Sequence, residues 1–77
     1  MEEEILKQII AEVMKVDPRE IEMDTTLIED LGADSLDIMR IVINIEERFS
    51  LKLPEGSVNR LFTPGDAIEM IKKVKKA

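Results

Sequence analysis

Hydrophobic residues recur along this chain at intervals that are typical of amphipathic helices. In residues 2–16, Ile5, Ile9 and Val13 are spaced four apart, which places them on one face of an α-helix. The segment opens with glutamates, which suit the positive end of a helix dipole, and Pro18 restricts the backbone just beyond it. The pattern therefore predicts a helix over residues 2–16.

Two further segments have the same periodicity, residues 35–49 and the stretch that begins at Pro64. Asp34 suits the N-cap of the helix at 35–49, and Thr63 suits that of the last helix. Between them, residues 54–62 combine turn residues with a short apolar run, so a few residues of helix are expected. The predicted inner face of the last helix consists of Ala67, Met70, Ile71 and Val74. The sequence thus predicts an all-α fold, a four-helix bundle with three main helices and one short helix.

The connection over residues 17–34 is long, and one turn of helix is expected within it. Thr26 and Glu29 fit a capping box, and Gly32 can close the turn in the left-handed conformation. The residues of this turn that are expected to face inward are Leu27, Ile28 and Leu31.

The segment 35–49 has more apolar surface than a helix needs for packing on one side. At roughly 100° per residue, its apolar positions cover an arc of roughly 220°, about twice the width that a surface helix requires. The inner set consists of Ile38, Ile41, Val42, Ile45 and Phe49, and the second set of Leu36, Met39 and Ile43. Either the helix is buried on two sides, or its second face is a docking strip. We favour the docking strip, because it begins beside Ser35 and is bordered by acidic residues.

Composition and charge limit the partners. The 77 residues predict a single domain over residues 1–77, and we expect a monomer. A formal net charge of −6 disfavours nucleic acid and favours basic protein surfaces. No apolar run is long enough to span a membrane, and the acidic N-terminus fits neither a secretory signal nor a transit peptide. Since cysteine is absent, no disulfide is possible, which suits the cytoplasm, where we expect the chain.

The residue types also limit the chemistry. Without histidine or cysteine the chain has neither the usual general base nor a thiolate for a metal site, so an enzyme is the least expected class. The spacing of Asp30, Asp34 and Asp37 does not fit a calcium loop, and no metal site is predicted.

Ser35 lies at the start of a predicted helix and has three possible roles. A nucleophile would need an adjacent base and an oxyanion hole, and no histidine is present to serve as that base. A helix cap is the ordinary role of such a serine, but Asp34 can already fill it. The hydroxyl would then be free to carry a phosphate, because the amides and the dipole of a helix start favour an anion.

The stretch DLGADSLD at residues 30–37 resembles the 4′-phosphopantetheine attachment site of acyl carrier proteins. The similarity extends over nearly the whole chain, including residues 26–30, 46–49 and 63–68. It implies an acyl carrier protein-like bundle in which Ser35 receives the phosphopantetheine of coenzyme A from a phosphopantetheinyl transferase, which supplies the metal and the base. The implied function is that of a carrier without catalysis, which holds acyl groups as thioesters in fatty acid or a related specialised acyl or polyketide biosynthesis.

The resemblance also implies roles for the neighbours of Ser35. Asp34 and Leu36 flank the attachment site. Basic docking surfaces of acyl-transferring and synthase enzymes would meet Leu36, Met39 and Ile43, with Asp34, Asp37, Glu46 and Glu47 as acidic contacts. Arg40 lies on the same helix between these residues, and we predict that it contacts partners as well. In this family an acyl chain can fold into the bundle interior, which here would be lined by Ile41, Val42, Ile45, Leu61, Phe62, Ala67 and Ile71.

Two departures from the family pattern favour a specialised carrier. Arg40 occupies a position where housekeeping fatty-acid carriers usually have an acid, and residues 55–62 are less acidic than usual and include Arg60. Two other interpretations stay open. One is a sister carrier for aminoacyl or peptidyl groups, and the other is an unmodified helical module that binds a partner helix through Leu36, Met39 and Ile43.

Overall fold

The computed structural model describes residues 2–76. It contains four α-helices, α1 (Glu2–Met14), α2 (Ser35–Phe49), α3 (Ser57–Arg60) and α4 (Pro64–Lys76), and a short 3₁₀ helix at Pro18–Glu20. No strand occurs in this part of the chain. The predicted all-α bundle of three main helices and one short helix is confirmed.

The ends of α1 and α2 are formed in the same way. Lys15 and Ser50 each adopt a left-handed conformation, with φ of 59° and 53°, just after the last helical residue. The amide of Val16 then donates to the carbonyl of Ala11, and the amide of Leu51 donates to the carbonyl of Glu46, both at 3.1 Å. This arrangement satisfies carbonyls at a helix end. It ends α1 at Met14, two residues before the predicted end.

The core forms where α1 packs against α2 and α4, while α3 packs against α2. Its buried helical side chains are Leu6, Ile9, Ile10 and Ala11 of α1, Ile38, Ile41, Val42 and Ile45 of α2, and Ala67, Ile68 and Ile71 of α4. On α4, the predicted inner residues Met70 and Val74 are only partly buried, and Ile68 takes a core position instead. Leu27, Ala33 and Leu61 from the connections close the core. No helix within residues 2–76 is long and apolar enough to cross a membrane.

The connection between α1 and α2 differs from the prediction in two respects. The expected turn exists, with the Gly32 amide bonded to the Ile28 carbonyl at 3.0 Å, but it is too short to count as a helix. The residue paired with Thr26 is Asp30 rather than Glu29. Leu27 is fully buried, whereas Ile28 is 54% exposed, so the inward prediction for Ile28 was wrong.

The prediction that Phe62 lines the bundle interior was also wrong, because its side chain is 58% exposed. Its carbonyl accepts a hydrogen bond from the Leu27 amide at 2.9 Å, and its amide donates to the Asp66 carboxylate at 3.0 Å. These bonds fix the backbone at Phe62. The preceding residue, Leu61, points into the core, where its side chain is 2% exposed. The other residues predicted to line the interior that would receive an acyl chain are buried, namely Ile41, Val42, Ile45, Leu61, Ala67 and Ile71. Leu31 and Phe49, also predicted to face inward, are partly buried.

Candidate functional site

The first turn of α2 is closed by two aspartates. Oδ1 of Asp34 accepts a hydrogen bond from the Asp37 amide at 2.9 Å, and Oδ2 of Asp37 accepts one from the Asp34 amide at 3.2 Å. Asp34 itself has an extended backbone, with φ of −108°, as an N-cap residue requires. The capping function at this helix start therefore belongs to Asp34, as predicted.

Ser35 is the first residue of α2 and is exposed. Within residues 2–76, its hydroxyl makes no hydrogen bond, and the amides of Ser35 and Leu36 have no acceptor. Because the neighbouring aspartate caps the helix, the hydroxyl is free to be the point of attachment of another group. The two amides and the helix dipole favour a phosphate at this point.

The turn before α2 positions Ser35. The Thr26 amide donates to the Asp30 carboxylate at 2.9 Å, and the Asp30 amide donates to the Thr26 hydroxyl at 3.2 Å. The amide hydrogen bond, followed by the contact with the Thr26 hydroxyl, lowers the pKa of Asp30 below its usual value. Gly32 has a φ of 75°, which a residue with a side chain rarely adopts, and the Ala33 amide returns to the Leu27 carbonyl at 2.9 Å.

The outer face of α2 is apolar and faces solvent. Leu36, Met39 and Ile43 are between 46% and 60% exposed, and we call them the α2 strip. The interpretation that α2 is buried on two sides is therefore excluded for this chain. Beyond the strip, a shallow recess is lined by Ile43, Glu46, Glu47, Ser50, Leu51 and Lys52.

The charged residues near the α2 strip differ in their exposure and in whether they already make hydrogen bonds within the chain. Asp34 and Glu47 are exposed, whereas Asp37 is partly covered and belongs to the helix cap. Oε2 of Glu46 accepts a hydrogen bond from the Leu53 amide at 2.9 Å and so holds the loop after α2. Arg40 lies next to the strip, and its Nη1 is 3.9 Å from Oδ1 of Asp37.

Sequence reasoning missed two of these contacts. The Thr26–Asp30 pair has a spacing of four rather than the three of a capping box, and that spacing was a readable signal. The bond from Leu53 to Glu46 joins residues seven apart across a helix end, and no local pattern indicates it. Within residues 2–76, no group of three acidic side chains is placed to hold a metal ion.

Comparison with known proteins decides the family. A family model described as "Phosphopantetheine attachment site" matches residues 4–71. The acyl carrier protein of Sulfurovum sp. (strain NBC37-1) is 39% identical over 69 residues, which cover 90% of this chain and 92% of the relative. That of Clostridium acetobutylicum is 39% identical over 69 residues, which cover 90% of each chain. The chain belongs to the acyl carrier protein family.

A solved structure agrees with this assignment. A chain from Mycobacterium tuberculosis that is described as an acyl carrier protein superposes with a TM-score of 0.86, at 25% identity, over 95% of this chain and 97% of that chain. Acyl carrier proteins hold 4′-phosphopantetheine covalently, act as carriers rather than enzymes and interact with synthase and transferase enzymes. The predicted cofactor and the prediction that the chain is no enzyme are thereby confirmed.

Proposed function

We propose that Ser35 is the residue that carries the 4′-phosphopantetheine arm, and that residues 1–77 act as one monomeric acyl carrier domain. The observation that carries the proposal is the exposed Ser35 hydroxyl, which has no hydrogen-bond partner within residues 2–76 and directly precedes the α2 strip. The other serines are less suitable. Ser57 is buried and its hydroxyl donates to the Pro54 carbonyl, while Ser50 lies at the opposite end of α2 in a left-handed conformation.

The attachment needs no base on this chain. The Ser35 oxygen attacks the phosphorus of coenzyme A that bears the pantetheine, a phosphodiester bond forms, and the bond between the two phosphates breaks. The nucleotide 3′,5′-bisphosphate leaves, and the transferase takes the hydroxyl proton. The arm supplies a thiol, which the chain itself lacks because it has no cysteine. That thiol holds acyl groups as thioesters.

The surface around Ser35 suits docking to basic enzymes. The α2 strip supplies exposed apolar contact, and Asp34, Asp37, Glu46 and Glu47 supply negative charge at its two ends. Complementary charge mainly raises the association rate, whereas apolar contact contributes to the lifetime of the complex. We therefore assign the partner-contact role to these residues together with Arg40.

A specialised acyl pathway suits the chain better than general fatty-acid synthesis. Arg40 places a positive charge beside the α2 strip, between the acids at its two ends, Arg60 is the last residue of α3, and the last turn of α4 is rich in lysine. A uniformly basic enzyme surface would meet like charge at these points. The cytoplasmic location stays a prediction.

Intact mass tests this function. We expect a promiscuous transferase with coenzyme A to add the mass of one phosphopantetheine, and acyl coenzyme A to add that of the acylated arm. Ser35→Ala should abolish the gain, and Ser50→Gly should keep it, because this control removes the exposed serine at the other end of the same helix. An unmodified wild-type chain would contradict the carrier function. Modification of Ser35→Ala would contradict the site, and exclusive loading with aminoacyl groups would indicate the sister carrier.

A further inference from the structure

Arg40 adjoins the α2 strip near the middle of the strip's length, at one side of the arc that its residues occupy. At roughly 100° per residue, Leu36, Met39, Arg40 and Ile43 fall within an arc of about 100° on α2. Leu36 is four residues before Arg40 and Ile43 three residues after it, so both side chains are its direct neighbours on the helix surface. An enzyme that covers the α2 strip therefore also covers Arg40.

The guanidinium of Arg40 has unused hydrogen-bonding capacity. Its side chain is 67% exposed, and its nearest acid, Asp37, is 3.9 Å away. The second oxygen of Asp37 already accepts the Asp34 amide. Among the described residues, no side chain or carbonyl accepts a hydrogen bond from the guanidinium. A planar carboxylate is the group that its forked N–H donors fit in a bidentate way.

Docking on the α2 strip partly desolvates the Arg40 guanidinium, which weakens binding unless the partner places a negative charge opposite it. Once Leu36, Met39 and Ile43 are covered, Arg40 loses water on the side of Leu36 and Ile43, while Asp37 and Asn44 lie on its other side. A charge that is desolvated without a partner opposes binding, and a lysine or arginine opposite it would add repulsion. Asp34 and Glu47, which lie toward the two ends of α2, are still best matched by basic groups on the partner. The surface therefore requires negative charge at one central point and positive charge around it.

We propose that Arg40 is a specificity-determining residue, and that the cognate enzyme presents a carboxylate opposite Arg40 within an otherwise basic docking surface. This inference rests on the proposed function, because it concerns the same strip. The occupant is a protein. An anionic membrane or a nucleic acid would match Arg40 but would meet the negative charges of Asp34 and Glu47 on both sides.

A charge-swap experiment tests the inference. The probe is a fatty-acid condensing enzyme with a uniformly basic docking surface, assayed with acyl-loaded carrier. We expect Arg40→Glu to raise kcat/KM by about tenfold at low salt and Arg40→Gln by less, with both gains reduced in high salt. The matched control is Arg48→Glu, which makes the same charge change on α2 outside the arc and leaves Arg40 in place.

The second arm changes the enzyme. Each basic residue of its docking surface is replaced by glutamate in turn, and at one position the wild-type carrier should become a better substrate than Arg40→Glu. An Arg40→Glu effect no larger than that of Arg48→Glu would overturn the inference, and so would the absence of any such reversal. Only carriers that have already gained the arm enter the assay. Failure here is therefore distinct from failure of the proposed function, which the mass measurement reports.

Discussion

At the start of α2, the carboxylates of Asp34 and Asp37 each accept a hydrogen bond from the backbone amide of the other residue. At the start of α4, the Thr63 hydroxyl accepts the Asp66 amide, and the Asp66 carboxylate accepts the Thr63 amide. In both cases the N-cap side chain accepts the amide three residues later, while the carboxylate three residues later accepts the N-cap amide. The two helices thus begin with the same local chemistry, and capping alone does not distinguish a functional helix start from a structural one.

The residue after the cap makes the difference. In α4 it is Pro64, which is fully buried and has no amide hydrogen to leave unpaired. In α2 it is Ser35, which is exposed and carries a hydroxyl that the cap does not use. The comparison teaches that a hydroxyl can stay exposed and unbonded at a helix start when the preceding residue does the capping.

The largest stability effect is expected from Asp66→Ala. The Asp66 carboxylate accepts the amides of both Phe62 and Thr63 at 3.0 Å, so the substitution removes two hydrogen bonds. We expect a loss of about 2 kcal/mol. Thermal unfolding should show a fall in Tm of roughly 10 °C. Glu69→Ala, an exposed acid one turn further along α4, is the control, and an equal effect there would contradict the capping role.

A smaller loss is expected at the start of α2. Asp34→Ala removes the acceptor of the Asp37 amide and should cost about 1 kcal/mol, whereas Asp34→Asn keeps an acceptor and should cost less than about 0.5 kcal/mol. Denaturant titration measures both. If the asparagine variant were as unstable as the alanine variant, charge rather than the hydrogen bond would hold this helix start.

The hydroxyls of Thr63, which caps α4, and of Ser35, which follows the cap of α2, should behave differently. The Thr63 hydroxyl accepts the Asp66 amide at 3.2 Å, and Thr63→Ala should cost about 1 kcal/mol. Ser35→Ala removes a hydroxyl without a partner in the described part of the chain, and alanine favours a helix, so stability should stay within about 0.5 kcal/mol. The same denaturant titration decides this, and a clear loss in Ser35→Ala would show that the hydroxyl has a structural role.

The smallest expected effect is the pH dependence of the stability that Asp30 contributes. The Thr26 amide, and then its hydroxyl, lower the pKa of Asp30 below its usual 3.8. A carboxyl with a lowered folded-state pKa contributes stability above its unfolded pKa and loses it as the pH falls through the folded value. The Tm advantage of the wild type over Asp30→Asn should therefore be present at neutral pH, begin to decline as the pH approaches the usual value of 3.8, and be lost as the pH falls through the lowered pKa of Asp30. Glu29→Gln is the matched control, and a pH-independent difference for Asp30→Asn would contradict this explanation.

Local signals explain what could be predicted. The bounds of α2 agree with the prediction at both ends, because a cap residue and a C-terminal turn lie within a few residues of each end. The motif around Ser35 is equally local. The exposed strip followed from periodicity, since its residues belong to one regular helix.

Non-local contacts explain the errors. Ile28 and Phe62 were both predicted to lie inside, and both are exposed. The orientation of these connections depends on the bond between the Leu27 amide and the Phe62 carbonyl, which joins distant parts of the chain. In an irregular segment no periodicity shows which of two adjacent apolar residues, such as Leu61 and Phe62, takes the core position.

The most direct test of the central claim is the position of the added mass in the wild-type chain. Trypsin cuts after lysine and arginine, so the three serines fall in separate peptides, at residues 20–40, 49–52 and 53–60. After reaction with coenzyme A and a transferase, tandem mass spectrometry should find phosphopantetheine only on the 20–40 peptide, with the fragment ions placing it on Ser35. The same group on the peptide of Ser50 or Ser57, or on no peptide, would contradict the account.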